Sequence, residues 1–220
     1  ETRNPDMRAS ILWLQGNQLF HAASPILPEA YSQAIDGVKI GASVGSCGTA
    51  AFLRKRVIVE NIATDPLWSE FKGLALSHGL QACWSEPIIG SSGNLLGTFA
   101  MYFDHPSKPT NDELLDIVGA SGLASLVMER VQKDSELNKL SQATEQSGES
   151  ILITDKNGTI EYVNPAFTKI TGYTAEEALG NNPRMLKSGN QDKEYYEQLW
   201  KTLTSGKVWH SSVIDKRKDG

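Results

Sequence analysis

The sequence predicts an α+β chain in which antiparallel hairpins alternate with helices. Strand-like segments occur in pairs around short turns: 9–14 with 18–23, 82–89 with 95–102, and 151–155 with 159–164. A capping box at Thr110 and Glu113 opens a long apolar-periodic helix that runs to about Thr144. With 220 residues, the chain has room for one large domain or two small ones.

Local signals place the elements between the first two strand pairs. Helices are predicted from Pro28-Glu29 and over 49–53, and a third from Asp65-Pro66, where proline suits the first turn of a helix. A strand is predicted over 57–62, and the stretch 41–48 ahead of the 49–53 helix is rich in glycine.

Glycine and capping signals divide the chain beyond the third strand pair. The predicted elements are a helix over 166–172, a second helix opened by a Thr174–Glu177 capping box, a helix over 192–204 and a strand over 208–216. On the 192–204 helix, Tyr195, Tyr196 and Trp200 fall at helical spacing, which predicts packing against the sheet.

Composition excludes several classes of function. The net charge of −5 argues against a nucleic-acid partner, because no basic face is evident. No apolar run approaches the roughly 20 residues of a membrane span, so no membrane contact is expected within this segment. The two cysteines form no metal-ligand pattern, and free thiols suit a reducing, cytoplasmic location.

The tracts GSCGTAAF, VIVENIATDPLW, GLQACWSEPI and LLGTFAMYF together resemble a GAF domain of the kind found in multidomain bacterial regulators. The resemblance implies an antiparallel sheet flanked by helices over 1–130. A GAF domain normally begins with a helix ahead of Pro5, so that helix is expected to be missing.

The run ILITDKNGTIEYVNPAFTKITGYTAEEALG, residues 151–180, resembles the first half of a PAS domain. The resemblance implies a five-stranded antiparallel sheet in the order 2-1-5-4-3. Only three of those strands fall within 148–220, so the PAS domain is expected to be incomplete and the natural protein to continue past Gly220.

The segment 131–147 is predicted to be a helical linker between these domains. Its apolar stripe, Val131, Leu137 and Leu140, is narrow, as in a two-stranded coiled coil. Two interpretations stay open: a surface helix that joins two domains, or the seam of a homodimer.

By position in the family pattern, the GAF ligand pocket is expected near Trp68, Trp84, Ser85 and Glu86, with Cys47 and Cys83 in its wall. The alternative is that the tryptophans are plain core. Cyclic nucleotides are disfavoured because the N-K-F-D-E motif is absent. His78, in a polar turn, is expected to face solvent and not to bind metal or haem.

The two cysteines also resemble those of GAF-type free methionine sulfoxide reductases, where a redox pair would explain both thiols. Trp84 stands where that enzyme has an aspartate. The preferred interpretation is therefore two small buried residues in a pocket wall.

In the PAS region, Asn182 and Trp209 are the candidate contacts for a flavin. Pro183 occupies the place of the reactive cysteine of flavin-binding LOV photosensors, which excludes blue-light adduct chemistry. Haem is disfavoured because no histidine lies on 192–204. An empty pocket or an unknown ligand is preferred, and the cofactor is left unassigned.

These resemblances imply a sensory input module of a bacterial signalling protein. It would bind a small molecule or a partner and relay the signal through the helical linker to its own C-terminal output domain. The tract NPRMLKSGNQDKEYYEQLW resembles PAS domains that precede GGDEF diguanylate cyclase or EAL phosphodiesterase modules of cyclic-di-GMP signalling. A sensor histidine kinase of a two-component system and a thiol reductase are the alternatives. The segment itself is not expected to be catalytic.

Overall fold

The first strand pair, β1 (Arg8–Gln15) and β2 (Gln18–Ala23), turns at Gly16, whose positive φ of 62° suits glycine. The computed structural model describes residues 7–220. The first of its two units, Glu1–Lys133, continues with α1 (Glu29–Ile35), β3 (Val38–Lys39), α2 (Gly45–Leu53), β4 (Val57–Val59), a 3-10 turn (Pro66–Trp68), α3 (Lys72–Ser77), β5 (Ala82–Ile89), β6 (Leu95–Phe103) and α4 (Asn111–Glu145).

The strands of this unit form one antiparallel sheet in the order β3-β2-β1-β6-β5-β4. One face carries Leu12, Cys83 and Tyr102, which pack with α2. The opposite face carries Trp84 and other residues that pack with Ile117 of α4. Because side chains alternate along a strand, neighbouring residues belong to different cores.

Helix α2 begins four residues before its predicted start at Thr49. Gly45 makes this possible, because its positive φ of 54° turns the chain into the helix. A Cβ on Gly48 would lie 2.7 Å from side-chain atoms of Val44, so glycine is also needed there. Strand β4 is shorter than predicted and ends at Val59, since the Glu60 carbonyl leaves the ladder and accepts from the Ser107 amide.

Helix α4 has 35 residues and opens at the predicted capping box. Its inner face is buried at Ile117, Ser121, Ala124, Ser125 and Met128. The Ser125 hydroxyl donates to the Ile89 carbonyl (2.8 Å), and the Glu129 carboxylate accepts from the Ser91 amide (2.7 Å). These bonds fix the helix to the end of β5.

The second unit, Asp134–Gly220, contains β7 (Leu152–Thr154), β8 (Ile160–Val163), α5 (Pro165–Thr171), α6 (Ala175–Ala178), a 3-10 turn (Pro183–Leu186) and α7 (Lys193–Thr204). Asp155 shapes the β7–β8 turn by accepting from the amides of Asn157 (2.9 Å) and Thr159 (2.7 Å). The predicted capping box of Thr174 and Glu177 is present at α6. The α+β prediction is confirmed for both units.

Two predictions for the second unit are wrong. Residues 208–216 form no strand; among the described residues their ladder contact is a single bridge between Lys187 and Asp215. Helix α7 has no buried residue, although its aromatic residues were expected to pack as core against the sheet. Tyr195 and Tyr196 are half-buried and Trp200 is exposed, because no strand covers this face within residues 7–220.

Candidate functional site

A small cavity lies between α1, α2 and the sheet. Its aromatic wall comes from Tyr31, Trp68, Phe71 and Tyr102, and α2 contributes Cys47. No charged side chain lines it. The centre of a water-sized molecule can occupy about 30 Å³ of this cavity, which is room for about two waters. Such a space suits a very small neutral molecule.

Cys47 is the most chemically active group in the wall. Its Sγ lies 3.5 Å from the Tyr102 hydroxyl. Hydrogen bonding, first with Cys83 and then with Tyr102, lowers the pKa of the Cys47 thiol to about 7 although burial opposes this. Burial raises the pKa of Cys83 well above its usual value, so we assign the thiolate to Cys47.

The two tyrosines of the wall remain neutral hydrogen-bonding groups. Burial raises the pKa of Tyr31 and of Tyr102 well above the ordinary value for a phenol. Their rings meet edge to face with centroids 5.9 Å apart. This fixed pair makes a rigid wall, with a phenol next to the Cys47 sulfur.

A buried hydrogen-bond chain connects the cavity wall to the sheet. The Trp68 indole N–H donates to the Ser46 hydroxyl (3.1 Å), which donates to the Cys83 carbonyl (2.9 Å). Displacement of Trp68 by a ligand would therefore strain a bond to β5. The wall and the sheet are mechanically joined through Ser46.

The structure separates the predicted GAF-pocket residues. Cys47 and Trp68 line the cavity, and Cys83 is buried behind Cys47. Trp84 does not line it: its ring packs on Phe103 on the opposite face of the sheet, with centroids 4.3 Å apart. Glu86 also lies outside the wall and forms an ion pair with Arg56. Trp84 and Glu86 were expected at the pocket, but alternate residues of a strand face opposite sides of the sheet, so both lie on the side away from Cys83.

His78 also differs from its prediction. It is half-buried, with its Nδ1 2.9 Å from the Leu74 carbonyl oxygen and its ring centroid 5.9 Å from that of Tyr31. Among residues 7–220, no group of three or more His, Cys, Asp and Glu is placed to hold a metal ion.

The predicted PAS-pocket residues serve the protein's own backbone and aromatic contacts. The Asn182 amide donates to the Gly158 carbonyl (2.8 Å), and its oxygen accepts from the Arg184 amide (3.1 Å). Trp209 is half-buried and meets Tyr195 edge to face, with centroids 5.9 Å apart. Their role as flavin contacts stays a prediction.

Sequence reasoning missed the buried amide of Asn164. Its oxygen accepts from the amides of Ile151 (2.9 Å) and Phe167 (2.9 Å). Its nitrogen donates to the carbonyls of Thr144 (3.0 Å) and Glu149 (2.9 Å). One side chain thereby joins the end of α4, β7 and α5. The N-cap position before Pro165 was the available signal.

Comparison with known proteins gives two family matches. The model described as GAF domain matches residues 2–127, and the model described as PAS domain matches residues 148–220. Within the described residues, no helix has the length and apolar character needed to cross a membrane.

Two curated relatives and one solved structure are similar to this chain. The methyl sulfide methyltransferase-associated sensor of Methanosarcina acetivorans is 37% identical over 98% of this chain and 22% of its own length. The nitrogen fixation regulatory protein of Klebsiella oxytoca is 40% identical over 34% of this chain and 15% of its own length. The GAF domain/HD domain protein of Geobacter sulfurreducens aligns with a TM-score of 0.48 and 13% identity over 60% of this chain and 85% of that chain. This chain thus spans about a fifth or less of the curated relatives.

Proposed function

Because the chain belongs to the GAF family and continues into a PAS domain, we propose that it is the sensory input region of a longer signal-transduction protein. One observation carries this proposal: an uncharged, mostly aromatic and apolar cavity whose wall is hydrogen-bonded to the sheet. The names of the two curated relatives, a sensor and a regulatory protein, are consistent with it.

Signal transfer would depend on a ligand that binds two conformations of the wall with different affinity. The outward path would be α4, which Ser125 and Glu129 fix to the first unit and whose last turn Asn164 fixes within the second. A rigid helix held at both ends transmits a shift without a change in its own structure. The location is expected to be cytoplasmic and the assembly a homodimer.

The test is ligand binding by the full chain and by a variant with a filled cavity. Neutral molecules of two to four heavy atoms would be screened by their effect on Trp68 fluorescence. We expect Gly45→Ala to abolish the response, because its Cβ would face the Trp68 ring at 3.6 Å and strain a positive φ. Gly73→Ala, in open space, is the control. A response that survives in Gly45→Ala would place the ligand elsewhere.

For the output, we propose a diguanylate cyclase with GGDEF or EAL modules, on the resemblance of the tract at 182–200. A sensor histidine kinase is the alternative. Purified full-length protein would be supplied with GTP and, separately, with ATP. Formation of cyclic-di-GMP supports the cyclase, whereas autophosphorylation on histidine supports the kinase.

A thiol reductase is the second candidate, because Cys47 and Cys83 adjoin each other. Its substrate, free methionine sulfoxide, is an amino acid zwitterion, and the cavity has neither the volume nor a charged wall to receive one. We therefore expect no methionine sulfoxide turnover by the full chain. Turnover that Cys83→Ser abolishes would reverse this order of preference.

A further inference from the structure

Two hydroxyls on the inner face of the sheet lack hydrogen bonds. Ser10 on β1 and Thr98 on β6 are buried, with exposed fractions of 1% and 0%, and neither hydroxyl has a partner among the described residues. Ser10 pairs with Ala100, and Leu12 pairs with Thr98, so the two hydroxyls lie one step apart on the same face. Buried polar groups without partners are rare and cost about 1–3 kcal/mol each.

These hydroxyls share the sheet face that carries Cys83 and Tyr102 and lies under Cys47 of α2. Thr98 and Ser85 are close enough to Cys47 to influence its sulfur electrostatically. Neither Thr98 nor Ser10 completes a hydrogen bond of ordinary geometry. The Thr98 hydroxyl thus lies near the sulfur with its hydrogen-bonding capacity unused, and it can donate to one more acceptor atom there.

We propose that Cys47 is a site of oxidation by a small peroxide, and that Cys83 is its resolving thiol. The Cys47 thiolate attacks one peroxide oxygen and the O–O bond breaks. The sulfur gains that oxygen and becomes a sulfenic acid. With hydrogen peroxide, the second oxygen leaves as hydroxide, which takes up a proton and becomes water. The sulfenic oxygen accepts a hydrogen bond from Thr98. Cys83 then attacks the Cys47 sulfur, an S–S bond forms, and a second water leaves.

The cavity supplies the access that this reaction needs. Cys47 is 8% exposed and lines the wall, whereas Cys83 is fully buried. Hydrogen peroxide is about as large as two waters and is neutral, which matches a space of about 30 Å³ without charged groups. The order of oxidation follows: Cys47 first, Cys83 second. The product would link α2 to β5 covalently.

The chemistry does not depend on the proposed sensory role and is not turnover of methionine sulfoxide, since the protein itself is the electron donor. The experiment treats the full chain with hydrogen peroxide, traps sulfenic acid with dimedone and identifies the labelled cysteine by mass spectrometry. Wild type should give a Cys47–Cys83 disulfide. Cys83→Ser should give dimedone label on Cys47, and Cys47→Ser should give neither product.

Two variants test the hydroxyls. Thr98→Val should slow oxidation of Cys47 about fivefold, because it removes one hydrogen bond to the oxygen that is being transferred to the sulfur. Ser121→Ala, which removes a buried hydroxyl bonded within α4, should leave the rate unchanged. Cumene hydroperoxide, which is too large for the cavity, should react at least tenfold more slowly than hydrogen peroxide.

Three results would overturn the proposal: label on Cys83 instead of Cys47, no product at peroxide concentrations that oxidise free cysteine, or equal rates with the two peroxides. Circular dichroism of each variant separates these outcomes from misfolding. A chain that oxidises as described but binds no ligand would contradict the proposed ligand-sensing role and leave the oxidation site intact.

Discussion

Gly97 of β6 pairs with Trp13 of β1 and leaves no room for a side chain. A Cβ there would lie 1.9 Å from the Leu12 carbonyl oxygen, and a backbone atom cannot rotate away. We expect Gly97→Ala to lower the free energy of unfolding by about 3 kcal/mol or more, as overpacking does in the core. Urea denaturation measures the change.

The control for this prediction is Gly119→Ala, because Gly119 lies in α4 and a Cβ there meets nothing within 4 Å. It should stabilise the chain by up to about 1 kcal/mol through helix propensity. A neutral Gly97→Ala would mean that the β1–β6 register differs from the one described.

The acidity of Cys47 gives a second prediction at the scale of single residues. Because its pKa is lowered to about 7, the thiolate fraction rises as pH passes through 7. The rate of modification of Cys47 by methyl methanethiosulfonate should follow that rise. Cys83, whose pKa is raised by burial, should stay unmodified below pH 9. A midpoint near the ordinary thiol value would contradict the hydrogen-bonding environment.

Among elements, the junction of α4, β7 and α5 depends on one side chain. Asn164→Ala would remove all four of its side-chain hydrogen bonds, to the carbonyls of Thr144 and Glu149 and the amides of Ile151 and Phe167. The Phe167 amide and the Thr144 carbonyl each keep a second backbone partner, whereas the Ile151 amide loses the side-chain oxygen to which it donates. We expect a loss of about 2 kcal/mol and faster hydrogen exchange at the amide of Ile151.

Asn181→Ala is the matched control, because the amide of Asn181 is exposed and donates only to the Glu177 carbonyl (2.8 Å). It should leave exchange at Ile151 unchanged. If the two variants behave alike, the junction is held by packing and not by the amide of Asn164.

The elements also show what local sequence determines. Capping boxes at Thr110 and Thr174 and the turn at Asp155 involve neighbours in the chain, so the sequence predicts them correctly. The side of the sheet on which Trp84 lies depends on register with β6, which no local pattern contains. The hydrogen bonds of Asn164 span up to 20 residues. Residues 208–216 could form a β-strand only by pairing with a neighbouring strand. Tertiary partners decide all three.

For the whole molecule, α4 carries a row of exposed leucines along its length. Leu115, Leu126, Leu137 and Leu140 are each 61–70% exposed. They recur at spacings of eleven and three residues, which keeps them on one side of a straight helix. The row keeps Leu137 and Leu140 of the predicted linker stripe, whereas Val131, six residues before Leu137, falls on another side of the helix. We propose that this row is the seam of a homodimer, the second of the two interpretations of the linker.

Leu137→Asp with Leu140→Asp should convert the dimer to a monomer, as measured by light scattering after gel filtration. Val208→Asp changes an apolar residue outside the helix that is even more exposed, and it should have no effect. A wild-type chain that is monomeric at millimolar concentration would favour the simple linking helix instead.

Strand β5 separates the two hydrophobic cores of the first unit, and its successive side chains enter them alternately. Cys83 belongs to the cavity side and Trp84, its direct neighbour, to the side of α4. One planar peptide group joins the two residues, so a movement of one is passed to the other. A displacement of Cys83 on the cavity side would therefore move Trp84, which packs with Ile117 of α4, through the single peptide bond that joins them.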